Sequence, residues 1–370
     1  MLLHIGTSTT LSTIRFKYWP INGRSEVNKV IHRCIRCIRF RAQACAQQMA
    51  DLPAPRVTLD RPFIHTGVDF SGAIYLRSSM SRNCRYQKGY ICLFVCLATK
   101  LLHLELVSDL TSQAFICALK RLIARRGGCK YLYSDNASNF KGANNELVEL
   151  NTMFKNDKSY SEIVNYCAMN NIQWKFTIPL ASHMGGLYEA GIKSVKALLK
   201  RQLCNAKLTY ELMYTLLVQV EGILNSRPLC AISDSPNDLE CLTPSHFAIG
   251  SAITDLPEPN MLEINDKRLN MYQKVMQMRQ RIWKQFYSNY LSELLPRNKW
   301  LQARSNLKMG DMIIVKDEAT PPSCWPLGKV IAVNTNSKDG LVRSVLIKTA
   351  KGEYTRPIHK LILLPNIGSV

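Results

Sequence analysis

The chain predicts an α/β protein built around one mixed five-stranded sheet, with a small helical unit before it and a small β-barrel after it. Three observations carry that prediction. Between residues 65 and 178, five short runs rich in β-branched, aromatic and aliphatic residues occur, and helical periodicity interrupts them only after the third. Residues 1–60 show helical patterning instead, with nine Lys or Arg against three acids. From Lys308 to Pro365, short apolar runs alternate with turn signals.

In DLPAPRVTLDRPF, Pro53, Pro55 and Pro62 disfavour helix, so a helical unit over 1–50 is separated from a core over 63–250 by a linker at 51–62. HTGVDFSGAIYL, KGYICLFVCLATK and LLHLELV are three successive strands, which starts the sheet antiparallel. LTSQAFICALKRLIARRGG is a helix with Phe115, Leu119 and Leu122 on one stripe, Arg125 and Arg126 in its last turn, and Gly127 as its stop. CKYLYSD and IQWKFTI supply two more strands, with a helical stretch near NNELVELNTMF between them. GGLYEAGIKSVKALLKRQL and TYELMYTLLVQVEGILNSRP close the core as helices. Across DKRLNMYQKVMQMRQRIWKQFYSNYLSELL, Ile282, Phe286 and Tyr290 keep helical spacing, as do Trp283, Tyr287 and Leu294, so residues 251–300 read as a basic helical connector. Residues 301–370 hold the barrel, with turns at MGD, PLG, KDG and AKG and ten Lys or Arg against five acids.

Composition narrows the partners. Forty-eight Lys and Arg against 27 Asp and Glu give the 370-residue chain a net charge of +21, an excess that points to a polyanion. Nucleic acid is favoured over a membrane surface, because no run approaches the roughly 18 apolar residues of a span. MLLHIGTSTT lacks the charged and apolar regions of a signal peptide, so a soluble, intracellular protein is expected. Thirteen scattered cysteines suit a reducing compartment with free thiols, and one pair, Cys34 and Cys37, has metal-ligand spacing.

Three acids stand where the secondary-structure reading places exposed, positioned side chains: Asp69 in strand GVDF, Asp135 at the strand end YSDN, and Glu189 early in a helix. Phosphodiester transfer needs charge neutralised on the attacking and leaving oxygens, which two Mg²⁺ or Mn²⁺ ions about 4 Å apart supply, and such hard cations take carboxylate oxygens. Taken singly, an Asp at a strand end is ordinarily a turn former or helix cap. Helix geometry adds a separate argument. Four, seven and eleven residues on from Glu189 stand Lys193, Lys196 and Lys200, on one face, while Ile192, Val195 and Leu199 lie opposite, so the lysines are expected to be free for phosphates. A solvated charged face is the plainer reading of that stripe.

The surroundings of these acids closely resemble the integrases of long-terminal-repeat retrotransposons of the BEL/Pao group. The similar stretches are RPFIHTGVDFSG, YICLFVCLATKLLHLELVSDLTSQAFICALKRLIARRGG, YSDNASNFKGANNEL, SHMGGLYEAGIKSVKALLKR, ILNSRPL, LTPSHFAIG and the tail from KMGDMIIVKDEATPP to IHKLILLP, which together span nearly the whole chain. The resemblance implies a zinc-binding N-terminal domain, a ribonuclease H-like catalytic core with a D,D,E metal triad, and a C-terminal SH3-like barrel. The triad carries over onto Asp69, Asp135 and Glu189, the last by its GGLYEA context, although Glu146 and Glu149 are rivals on distance alone. Lys193, Lys196 and Lys200 carry over as contacts to donor DNA. Asn136, Asn139 and His183 stand where they could orient the acid or meet the substrate, or else serve the turn. For zinc, His4 and the pair Cys34 and Cys37 give three of four tetrahedral ligands, the family's first His falling upstream of Met1, so weak or absent zinc is expected and the two cysteines are equally well read as ordinary small residues.

The activity expected on these grounds is metal-dependent trimming of 3′ ends, then joining of the exposed 3′-OH to host DNA, by a homo-oligomer that binds element ends and target duplex in the nucleus after assembly in the cytoplasm. Ala137 and Ser138 replace the usual Gly and Thr, Ser182 and Met184 a Pro and a Phe, and Tyr188 a Trp beside Glu189. These departures keep open a domesticated, catalytically inactive DNA-binding protein, and a ribonuclease H-like nuclease is a third reading.

Overall fold

The computed structural model describes residues 6–37, 51–58, 60–81, 83–134, 172–176, 186–203, 206–233, 235, 237–253, 258–295, 306–317, 320–335 and 340–365. The chain divides into two compact units, Met1–Leu52 and Pro53–Val370. In the first, α1 (Thr7–Arg15) and α2 (Gly23–Arg33) pack through Leu11, Val27 and Ile31. Their turn ends on Gly23, where a Cβ would sit 2.8 Å from both the Leu11 and the Pro20 side chains.

The second unit begins with the short α3 (Ala54–Val57) and then builds a mixed sheet from β1 (His65–Phe70), β2 (Ile74–Arg77), β3 (Tyr86–Cys96), β4 (Leu102–Val107), β5 (Tyr131–Ser134) and β6 (Gln173–Phe176). The described sheet therefore has six strands, not the expected five. HTGVDFSGAIYL is two strands because the register along β3 slips by one residue between Phe70↔Cys92 and Ile74↔Gly89. At that irregularity the Ser71 hydroxyl accepts from the Ile91 amide and the Ser71 amide donates to the Ile91 carbonyl. β1 pairs antiparallel with β3 and parallel with β5, and β5 is parallel to β6.

Both faces of this sheet are covered. On one, α4 (Ser112–Arg126) packs Phe115, Leu119 and Leu122 against Phe94, Cys92 and Leu132, as its stripe predicts. Thr111 caps its start, and Gly127, at φ +85°, ends it where a Cβ would collide with the Arg61 guanidinium. Arg61 donates to the carbonyls of Arg126 and Gly128, which places a cation on the helix C-terminus. On the other face, α5 (Gly186–Leu203) and α6 (Tyr210–Asn225) pack on Leu93, Val95, Leu104 and Leu106.

The helices also finish an edge. β4 pairs only with β3 among the described strands, and α6 supplies its missing partners: Asn225 accepts from the Leu102 amide and donates to the Leu102 carbonyl, both at 2.9 Å, and Glu221 accepts from the Leu104 amide at 2.8 Å. Beside this edge lies a buried ionic network. His103 Nε2 is 3.0 Å from Glu105, Arg121 and Arg125 donate to Glu105 at 2.6 and 3.1 Å, and Arg126 donates to Glu221 at 2.6 Å.

After β7 (Cys230–Ala231), β8 (Cys241–Leu242) and α7 (His246–Ile249), the expected connector is α8 (Met271–Leu294), started by an Asn270/Gln273 capping box. It does not stand free. Ile282, Trp283, Tyr287 and Leu291 are buried in the core that α5 and α6 share, and Arg279 is buried in a pair with Glu258 at 2.8 Å. The C-terminal strands β9 (Met312–Val315), β10 (Leu327–Thr335), β11 (Val342–Thr349), β12 (Gly352–Pro357) and β13 (Leu361–Leu363) form an antiparallel sheet in the order β12-β11-β10-β9-β13. It curls around Ile313, Val330, Val345 and Ile347, while Met312 and Ile314 point the other way into the α8 core. Closure into a full barrel is not seen among the described residues, since no pairing joins β12 to β13. Trp325 locks this sheet to α8, its ring 5.1–5.4 Å from those of Trp283, Tyr287 and Tyr290. No described helix is long and apolar enough to cross a membrane.

Candidate active site

Asp69 sits near the end of β1, opposite Leu93 of β3, with Oδ1 accepting from the Phe70 amide at 2.7 Å. The alternation of the strand puts it on the same face as His65 and Gly67. That face is the one α5 crosses. Tyr188, almost completely buried, lies on Gly67 so closely that a Cβ there would be 2.6 Å from the ring, and Gly191 lies over Leu93, where a Cβ would be 2.9 Å from its side chain. Two glycines, one on each element, thus let the helix start settle onto β1 and β3.

Glu189 follows Tyr188 in the first turn of α5, its side chain 22% exposed. A carboxylate in a first turn lies at the positive end of the helix dipole, which favours negative charge. The structure therefore brings Glu189 and Asp69 to one sheet face: the glutamate adjoins the residue resting on Gly67, and the aspartate is two positions along from Gly67. The described part of β5 ends at Ser134, the register partner of Val68, with Trp174 Nε1 donating to its hydroxyl at 2.8 Å. Asp69 and Asp135 are the next residues in sequence after these two partners. Asp135 itself lies outside the described residues, as do Asn136, Asn139, Glu146, Glu149 and His183. Among the described residues no group of three or more His, Cys, Asp or Glu side chains converges on a metal position.

Lys193, Lys196 and Lys200 are exposed on α5 and Ile192, Val195 and Leu199 are buried, as helical spacing predicts. Lys193 Nζ also donates to Glu189 Oε2 at 3.4 Å, the contact an i,i+4 spacing allows.

In the first unit, Cys34 caps the end of α2 and Cys37 lies one turn on. The backbone amide of Cys37 and, beyond it, the Cys37 side chain and the Arg36 amide hold the Cys34 thiol below its ordinary value against the opposing effect of desolvation. That is chemistry suited to a thiolate ligand. His4 lies outside the described residues.

The profile of a family of unknown function, DUF5641, matches residues 270–364. The matched stretch starts on the N-cap of α8 and ends just beyond β13, so it spans the helix and sheet that Trp325 joins. No curated protein matches the chain. Among solved structures, a chain in the cryo-EM structure of the simian T-cell lymphotropic virus intasome in complex with PP2A regulatory subunit B56 gamma is similar with a TM-score of 0.36 and 13% identity, over 98% of this chain and 96% of that chain.

Sequence reasoning missed Glu221 and Asn225, although two polar residues four apart inside the apolar run LLVQVEGILN are a readable signal of a helix that must satisfy something buried. It also missed the Gly67–Tyr188 contact, for which one sequence carries no signal.

Proposed function

We propose that this chain is a polynucleotidyl transferase of the integrase kind, of BEL/Pao type, with a ribonuclease H-like core and an SH3-like C-terminal sheet, that trims 3′ ends of element DNA and joins them to host DNA. The observation that carries the proposal is the seating of α5 on Gly67, which holds Glu189 and Asp69 on one face of the sheet. The motif resemblance adds Asp135, next in sequence after a register partner of β1, and DUF5641 domains occur in integrase-like proteins.

Asp69, Asp135 and Glu189 would hold Mg²⁺ or Mn²⁺, their oxygens being the donors that hard cations take. Two such ions, when bound, supply charge stabilisation for the attacking and leaving oxygens of an in-line displacement. The chain's own residues do the rest. Glu189 is oriented by its contact with Lys193 one turn on. Lys196 and Lys200 contact phosphates along α5 and fix the register of the strand without reading its bases. Cys34 and Cys37, with His4, would supply three of four ligands for zinc, which would be held weakly if at all. Joining two ends in concert requires a homo-oligomer, and access to host DNA requires entry to the nucleus after cytoplasmic assembly.

The test is cutting and joining of labelled terminal-repeat oligonucleotides in Mg²⁺ or Mn²⁺. The parent chain should cut and join, while Asp69→Asn and Glu189→Gln fall to background with unchanged melting. Metal-independent DNA binding without joining by the parent would replace this proposal with a non-catalytic, domesticated DNA-binding protein. Hydrolysis without strand transfer would replace it with a nuclease.

A further inference from the structure

The hairpin that β2 and β3 form beyond the end of β1 carries a row of hydrogen-bond donors that the proposed reaction leaves unused. Tyr75 lies opposite Lys88 and Arg77 opposite Tyr86, so these four share one face. Alternation along β3 puts Tyr86 and Lys88 on the other side of the sheet from Leu93, the register partner of Asp69. The row is therefore separate from the acids. Arg77 serves the hairpin itself: its guanidinium donates to the Ser81 carbonyl at 2.6 Å and to Cys84 Sγ at 3.1 Å, and its amide donates to the Leu208 carbonyl at 2.8 Å. That last bond draws the segment before α6 alongside, and Lys207 Nζ stands 3.8 Å from the centre of the Tyr86 ring. Tyr75 and Tyr86 are 55% and 53% exposed, and Arg85, Lys88 and Lys207 are exposed with them. No Asp or Glu occurs from Ser71 to Leu104 or from Ala190 to Tyr210.

We infer that this row holds the phosphate backbone of duplex DNA outside the reacting site, on the side of the sheet away from Asp69. The inference rests on the integrase reading for the choice of DNA and adds a second surface to it. Every exposed member of the row suits a phosphate: Arg85, Lys88 and Lys207 bring charge, and the hydroxyls of Tyr75 and Tyr86 bring directed hydrogen bonds. Lys207 already occupies a face of the Tyr86 ring, so this tyrosine offers its hydroxyl rather than a stacking platform. Neither acid-free stretch contributes a carboxylate that would repel the backbone. Same-face side chains recur about every 7 Å along a strand, an interval in which a duplex passes roughly four charges, so each position on the row meets a phosphate. A protein partner would call for an apolar centre and few lysines, which this row does not have. Contacts of this kind carry no base information, so binding is independent of sequence and falls steeply with salt.

The test is fluorescence anisotropy of the full chain with a labelled blunt duplex of arbitrary sequence, in EDTA so that DNA stays uncut, across a salt series. Each phosphate contact contributes about 0.9 to the slope of log affinity against log salt, so Lys88→Gln with Lys207→Gln should make the slope shallower by about 1.8. Equivalently, the deficit of this double variant should shrink about tenfold as salt rises from about 50 to 200 mM. Adding Arg85→Gln should remove about 0.9 more, while Lys88→Arg with Lys207→Arg, which keeps the charge, should leave the slope of the parent. Both lysines are exposed, and unchanged melting of the variants checks that the fold is intact. Slopes equal to the parent's in the Gln variants would overturn the inference, as would a fall of the same size in the Arg variants. A labelled oligoglutamate peptide that binds through these residues more tightly than the duplex would overturn it too, replacing DNA with an acidic protein partner. A parent that joins DNA while the Gln slopes stay unchanged sinks this inference alone. Shallower slopes in a chain that never joins DNA would sink the integrase reading and leave the DNA surface standing.

Discussion

Gly67→Ala isolates the contact on which the candidate site depends. The new Cβ would lie 2.6 Å from Tyr188 Cδ1 and 3.2 Å from Val95 Cγ1, against the 3.5–4.0 Å at which carbons rest, so the ring must retreat by about 1 Å. Tyr188 is only 1% exposed and has nowhere to swing. Overpacking of this kind costs about 1–3 kcal/mol, offset by about 0.5–1 kcal/mol from removing a glycine inside a strand, so a net loss of about 1–2 kcal/mol is expected. At roughly 2–4 °C per kcal/mol for a domain of about 200 residues, melting should fall by only a few degrees. Joining should fall much further, because Glu189 moves with Tyr188 and a misplacement near 1 Å costs about a hundredfold in rate. Adding Tyr188→Leu should restore part of both, giving a double variant less impaired than the sum of the singles. The reasoning is refuted if Gly67→Ala melts and joins like the parent, or if the double variant is fully additive.

Three further outcomes are expected in the rest of the second unit. Asn225→Leu strands the amide and carbonyl of Leu102, at about 1–3 kcal/mol for each buried group, so hydrogen exchange at the Leu102 amide should quicken far more than at the α4 core. Trp325→Ala should cost about 3–5 kcal/mol and detach the C-terminal sheet from α8, seen in calorimetry as one transition becoming two. For His103, burial acts to lower the pKa but the carboxylates of Glu105 and Glu221 outweigh it, so the folded value stands above the ordinary 6.5; its contribution is complete below pH 6.5 and lost as pH rises through the folded value. Burial acts to raise Glu105, but His103 and Arg121 outweigh it, so its contribution is present above 4.5 and lost as pH falls through its depressed value. The parent should therefore lose stability as pH rises above 6.5 in urea titrations more steeply than His103→Gln, and parallel slopes would contradict the network.

How much of this was legible before folding depended on whether a residue's role lay in its own element. α4, α5 and α6 were readable because their apolar stripes, caps and stops are local: Thr111, Gly127 and the Ile192, Val195 and Leu199 face each act within a turn or two of chain. The basic face of α5 was readable for the same reason. The split of the first long strand was not, because the one-residue slip is a relation between β1, β2 and β3 rather than a property of HTGVDFSGAIYL. α8 was readable as an amphipathic helix from the spacing of Ile282, Trp283, Phe286 and Tyr287, but the burial of Arg279 against Glu258, a partner some twenty positions away, is something no periodicity reveals.

The same distinction separates the part of the site that is encoded locally from the part that depends on tertiary contacts. A carboxylate at a strand end or a helix start is easily encoded, and acids occur in many such places. What sets Asp69 and Glu189 apart is that residues with no chemistry of their own, Gly67, Gly191 and Tyr188, fix the distance between a strand and a helix, while Glu221 and Asn225 anchor the neighbouring helix to the sheet edge. A metal site needs its donors held within about 0.5 Å, and side chains on rigid elements meet that tolerance only if the elements themselves are pinned. If Asp69 and Glu189 hold metal as proposed, the edge contacts of α6 belong to the site's construction as much as the acids do, and loosening them should erode metal-dependent joining before it unfolds the sheet.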